Sequence, residues 1–277
     1  MHESVVVYNR FRFLKAATLL GLVAIVLYAW HDPAGGLPNG GTWLGYGLGT
    51  IGALLILWLM WFGVRKRSYG EGHVKLEAWL SAHIYLGLSL IVVATLHTGF
   101  QFGWNVHTLA YVLMMLVIAS GAFGLYAYLR YPRLMTENRR GLTLTMMMQQ
   151  IADADRDCRE SSMQLGEEIN RAVLQASQDT RLGGSMWRQL AGRDPNCATL
   201  AALRSIERLA EKTSGAEASA LRRLVTLMTK KVDLLRQARR DIQLSALMQI
   251  WLYVHVPLTF ALIAALVAHV IAVFFYW

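Results

Sequence analysis

Two apolar runs, each carrying two histidines, restrict this chain more than anything else in it. The first, within Glu77–Phe102, reads WLSAHIYLGLSLIVVATLHTGFQF and holds His83 and His97. The second closes the chain as WLYVHVPLTFALIAALVAHVIAVFFYW and holds His255 and His269. Uncharged runs of this length read as membrane-spanning helices. In both runs the histidines are fourteen residues apart. That separation is about 21 Å along a helix and returns to within about 40° of the starting direction, so each pair lies on one helix face. An ionisable side chain inside a membrane is costly and marks a functional position by default.

Composition agrees with a membrane protein. Of the 277 residues 55% are hydrophobic and only 16% charged, against about 25% charged in soluble domains. The net charge of +9 sits mostly in the junctions between apolar runs and in one polar region, where it sets topology or meets anionic lipid. It does not call for nucleic acid. Cys158 and Cys197 form no C-x-x-C pair, which argues against cysteine-ligated zinc, iron–sulfur clusters and covalent haem attachment. They read as free thiols.

Taken in order, residues 1–12 are short and basic, and residues 13–30 form a first span. The run is too long, and lacks the small-residue cleavage site, for a secretory signal peptide. A turn-rich loop, 31–42, leads to a second span at 43–64. Its glycines, Gly45 to Gly52, read as close helix packing or as room for a flat cofactor. The basic junction RKRSYGEGHVKLE precedes span three (77–99), and span four covers 106–129. Residues 134–246 are the one polar region, an insert read as all-helical. One helix is expected over 143–178, with a break at Gly183-Gly184, a short helix at 185–191 and another at 197–213. Ser214 to Glu217 fits a capping box. Leu221, Leu224, Met228, Val232 and Leu235 then recur as an amphipathic stripe. That helix is expected to run into span five, 247–275, with little or no break. Met146, Met147 and Met148 read as packing rather than metal ligands. The fold class is thus all-α, a five-helix membrane bundle. Its parts are residues 1–133, the helical insert 134–246, and 247–277, which completes the bundle.

The basic N-terminus and the basic 65–75 and 130–140 junctions face the cytoplasm by the positive-inside rule. The insert is then cytoplasmic and the C-terminus outside, in an integral protein of a bacterial inner membrane. Spans three and five run in the same direction. His83 lies level with His255 toward the cytoplasm, and His97 with His269 toward the outside.

Zinc and copper sites gather three or four ligands at one point, whereas each level here receives two histidines. Two imidazoles on opposite faces of a macrocycle are the axial set of a haem iron without an open position, suited to electron transfer. This pattern resembles the di-haem cytochrome b superfamily. That superfamily includes the cytochrome b of quinol:cytochrome c complexes and the ferric-reductase-like transmembrane proteins. The resemblance covers mainly spans two to five. It implies one haem b held by His83 and His255 and a second held by His97 and His269. Ferric-reductase and NADPH-oxidase types continue into a cytoplasmic flavin and nucleotide domain, whereas this sequence stops just past span five. The cytochrome b of the quinol complexes has no polar insert of this length between its ligand helices. The resemblance therefore implies an electron-transfer subunit of a membrane oxidoreductase complex. A quinone pool would lie on one side of the reaction, and a cytochrome c, an iron–sulfur protein or a flavoprotein would be its partner. The competing readings are the membrane component of a ferric or other metal reductase and a haem-free membrane scaffold.

Further residues carry two readings each. Gly87, Gly121 and Gly124 leave room for a porphyrin or simply let helices approach. Lys75, Arg130 and Arg133 are at a depth suited to haem propionates, though topology alone accounts for them. His73 and His107 read as interfacial, with His107 close enough to touch propionates of the outer haem. His2 and His31 read as solvent-facing. Glu71 and Glu77 suit proton transfer to a quinone or plain charge pairing.

Overall fold

The computed structural model describes residues 6–31, 39–67 and 76–275, with 64–67 as backbone only. Among them every regular element is a helix. In chain order these are α1 (Tyr8–Trp30), α2 (Trp43–Arg67), α3 (Leu76–Thr98), α4 (Val106–Arg139), α5 (Leu144–Ser162), α6 (Glu167–Asp179), α7 (Met186–Ala191), α8 (Ala198–Lys212) and α9 (Ala216–Phe275). Five helical stretches are long and apolar enough to cross a membrane, namely α1, α2, α3, the stretch beginning with α4, and α9. The chain folds as two compact units. The first is Met1–Phe123 with Tyr253–Trp277, and the second is Gly124–Leu252.

In the first unit α3 packs along α1 and α2. Ala24, Leu44, Leu48, Val93 and Leu96 close one contact layer, and Leu59, Leu90, Met114 and Leu262 another. Outward-facing Leu19, Leu22, Leu54, Trp61, Phe260 and Phe274 are exposed. An apolar exterior of this extent suits hydrocarbon rather than water. Span one agrees closely with the 13–30 expected, although α1 as a whole extends from Tyr8 to Trp30. Asn9, Arg10 and Phe11 take left-handed backbone angles (φ 46, 53 and 61°), so the regular right-handed helix begins after them. Asn39 and Thr42 shape the entry to α2. The Thr42 hydroxyl donates to the Asn39 carbonyl (2.8 Å) and accepts from the Gly45 N–H (3.1 Å), satisfying one of the helix's orphan donors.

The second unit is built on the stripe read from the sequence. Leu221, Leu224, Met228, Val232 and Leu235 are all buried. Four of them pack with Cys158, Leu165, Ile169, Val173, Leu203 and Ile206. Met147 is fully buried and Met148 packs on a neighbouring cluster, while Met146 faces out. The expected helix over 143–178 is instead two helices. Gly166 sits at φ +93°, a conformation open to glycine at no steric cost. Buried Ser162 Oγ lies 2.8 Å from Arg159 O and 3.0 Å from Asn170 Oδ1, its single proton shared between the two acceptors. The chain therefore turns back, and α6 places Ile169 and Val173 in the core that Cys158 of α5 already lines. The capping box at Ser214 does not form either. Gly215 at φ +82° is outside helical space, and α9 starts one residue later at Ala216.

Three ion pairs tie this unit together. Arg139 grips Asp241 with Nε on Oδ1 (2.6 Å) and Nη2 on Oδ2 (2.9 Å). Lys231, 3% exposed, meets Asp155 at 2.5 Å. Arg239 meets Asp194 at 3.0 Å. Asn138 Nδ2 donates to Gln237 O (2.8 Å) while Gln237 Nε2 donates to Asn138 O. The Trp251 indole fills the space that a Cβ at Gly124 would need.

Both cysteines are free and buried, in opposite electrostatic settings. Burial pushes the Cys158 thiol up to about 11, with nearby Lys231 opposing and Asp155 and Asp157 reinforcing the shift. Burial also raises Cys197, but hydrogen bonds from Arg239 and from the Leu200 backbone outweigh it, and the net shift is downward. An unfolded thiol ionises near 9, whereas folded Cys158 keeps its proton to about 11. The stability held in that proton is complete below 9 and is lost as pH rises toward 11. In urea titrations the midpoint of the wild type should therefore fall faster over that window than that of Cys158→Ala. Equal slopes would show that the buried thiol contributes nothing to alkaline stability.

Candidate functional site

The four span histidines all belong to the first unit. His97, in the last turn of α3, and His269 of α9 have ring centroids 5.9 Å apart with planes at 84°. His83, near the start of α3, is in electrostatic reach of His255. Early residue meets early and late meets late, so α3 and this part of α9 run in the same direction. The two levels are about 21 Å apart along α3.

His97 is seated on α2. Its Nδ1 lies 2.8 Å from the Gly45 carbonyl oxygen. A carbonyl only accepts, so Nδ1 carries the proton and Nε2 is the basic nitrogen. The ring lies against Gly49, where a Cβ would come 2.6 Å from His97 Cε1. Gly45 and Gly49 are one helical turn apart on the same face of α2. One glycine supplies the acceptor and the other the clearance. The glycine run thus provides close packing, and its neighbour is an imidazole.

His255 is oriented in a similar way. Its Nδ1 is 2.7 Å from Ser120 Oγ, whose own proton goes to the Val117 carbonyl at 2.8 Å. The hydroxyl has one proton to give, so here it accepts from Nδ1–H and leaves Nε2 basic. A Cβ at Gly121 would stand 3.5 Å from His255 Cε1. Gly121 therefore borders this ring, whereas Gly87 faces Leu59 of α2 at 4.0 Å.

His83 is different. Its ring packs on Phe62 with centroids 5.1 Å apart and has the Leu59 carbonyl as a hydrogen-bond partner. Its Nδ1 is buried without a partner, as are Trp79 Nε1 and Ser81 Oγ on the same stretch of α3. A buried polar atom with no partner costs about 1–3 kcal/mol, and with the ring's one proton given to the Leu59 carbonyl this nitrogen has a lone pair to offer. At the other level His107, exposed, places Nδ1 2.5 Å from His269 Nδ1, so one of the two rings donates to the other.

The remaining sequence candidates fall elsewhere. Arg130 is exposed on the part of α4 that belongs to the second unit, and Arg133 is engaged with Glu137 at 2.8 Å. Lys75, Glu71, His73 and His2 lie outside the described residues. His31 corrects its reading as solvent-facing. Its ring stands edge-on to Trp43 at 5.1 Å, and its Nε2 is buried. Sequence reading did not single out Ser120 or pair Gly49 with His97. The four-residue glycine spacing was the available signal for Gly49.

Among the described residues no group of three or more His, Cys, Asp or Glu side chains is placed to hold one metal ion. A pair of imidazoles falls below that number and is what an axial set requires. Two rings with Nδ1–H donated to protein oxygens, and a third with a buried nitrogen lacking a partner, fit a group that takes imidazole nitrogen from two sides. Fold and site together define an all-helical protein with five membrane-length apolar helices and two histidine couples stacked along two co-directional ones. No protein-family model, curated protein or solved structure matches the chain.

Proposed function

We propose that the chain is a di-haem b-type cytochrome subunit that carries electrons across a membrane between a quinone pool and a redox partner subunit. In this reading His83 and His255 hold one haem b, and His97 and His269 hold the other. A haem with two imidazole ligands supplies one-electron chemistry and keeps no position for oxygen. The chain's own part is orientation. The Gly45 carbonyl fixes the tautomer and plane of His97, and the Ser120 hydroxyl does the same for His255, as outer-shell acceptors do for ligating histidines. The observation that carries the reading is the pairing of His97 with His269 at 5.9 Å, with His83 in electrostatic reach of His255 one level away. The bilayer, and a cytochrome c, iron–sulfur protein or flavoprotein, complete the proposed surroundings. An N-terminus and polar helical region on the cytoplasmic side follow from the charge distribution.

The purified protein should give a reduced-minus-oxidised spectrum of b type with two haems per chain, and His97→Ala should remove one. A colourless preparation would end the reading. One contact favours a second reading, a haem-free helical scaffold. His269 is already hydrogen-bonded to His107, and such a network can hold helices together without iron. His107→Ala separates the two readings. Haem content unchanged by this substitution supports the cytochrome, whereas a colourless protein whose thermal midpoint falls supports the scaffold. A metal-reductase component would retain the same haems and differ in its partner, a flavoprotein.

A further inference from the structure

The second unit holds a hollow that the proposed electron path does not use. It lies where the α7–α8 connection crosses α9 and has a volume of about 320 Å³. Arg193, Asp194, Cys197, Arg236 and Arg239 line it, and a smaller adjoining recess adds Arg181 and Arg188. Three arginines therefore border the hollow, and two more border the recess beside it. Two are matched, Arg239 by Asp194 at 3.0 Å and Arg236 by Asp233 at 3.2 Å. Among the described residues no carboxylate lies within ion-pair distance of Arg181, Arg188 or Arg193. Three positive charges remain uncompensated.

Arg239 is the best placed of the five. Its side chain is 13% exposed, and its bonds to Asp194, the Arg181 carbonyl and Cys197 Sγ all leave from Nη2. Its Nε and Nη1 have no acceptor among the described residues, and the residue lines the hollow. Helix α8 begins at Ala198, next to Cys197, with no side-chain cap, so the positive end of its dipole adjoins the same space.

We propose that this hollow binds a phosphate-bearing anion. A guanidinium fork matches phosphate oxygens two at a time, and three uncompensated charges call for a ligand with more than one negative charge. The volume suits a diphosphate or a phosphate headgroup rather than a macromolecule. The phosphate can come from a soluble molecule or from a lipid, and the test separates the two.

The full-length protein in detergent is titrated calorimetrically with pyrophosphate and, separately, with a short-chain soluble phosphatidic acid. At least one should bind saturably. Arg188→Ala/Arg193→Ala, both exposed positions, should weaken that binding at least about tenfold. Arg204→Ala/Arg208→Ala, which removes the same charge from α8, should leave it unchanged. Binding of pyrophosphate assigns a soluble ligand, and binding of the lipid alone assigns a headgroup. No binding of either, or equal weakening by both arginine pairs, overturns the site.

Discussion

Gly49→Val is expected to remove one haem from the proposed pair and leave the other. A Cβ at Gly49 lies 2.6 Å from His97 Cε1 and 2.9 Å from its Nδ1, well inside contact distance. The atoms it meets are a ring fixed at Nδ1 by the Gly45 carbonyl, so the ring must leave its seat and lose that bond. Valine is otherwise at home in an apolar span, so the helices should persist. Haem per chain, measured from a pyridine haemochrome, should fall from two to one, as for His97→Ala. Gly47→Val is the control, because nothing lies within 4 Å of its added Cβ, and it should keep both haems. Two haems in Gly49→Val would take His97 out of the ligand set.

The largest expected loss of stability comes from Arg139→Met. Asp241 is fully buried, and Arg139 meets both its oxygens. That hydrogen bonding raises the Arg139 pKa further above its ordinary value, against the opposing effect of burial. Without the arginine a carboxylate is left alone in the interior, and breaking a buried pair in this way costs about 3–5 kcal/mol. Replacing both partners by apolar groups is often neutral, so Arg139→Met/Asp241→Leu should recover most of the loss. Urea midpoints of the three proteins decide the matter. Arg171→Ala, which breaks the exposed pair with Glu167, should change stability by no more than about 1 kcal/mol. If Arg139→Met behaves like that surface variant, the buried pair is not a stabilising element.

How far the sequence could be read differs between the two units. In the first, hydropathy and spacing located the helices and the four histidines, because a membrane helix needs a long uncharged run and a fixed rise per residue. Their neighbours could not be read that way. The contact of Gly49 with His97 and the bond from His255 to Ser120 join residues 48 and 135 positions apart, and no local pattern carries such pairings. In the second unit the α9 stripe predicted its own burial. The turn at Gly166 was missed because one glycine in a polar helical pattern is compatible with continuing the helix. What ends α5 there is the core that α6 completes by folding back.

By itself the sequence determined that this protein is helical, which five segments are apolar enough to span, and that four of its eight histidines come in two couples of equal spacing. Those properties follow from local rules, namely the helical period and the cost of charge in hydrocarbon. Only the tertiary structure decided which nitrogen of His97 and of His255 is basic, that His107 reaches His269, and that three arginines border one hollow with two more beside it. Each of these depends on atoms far apart in the chain meeting within hydrogen-bond or ion-pair range, and packing alone sets that.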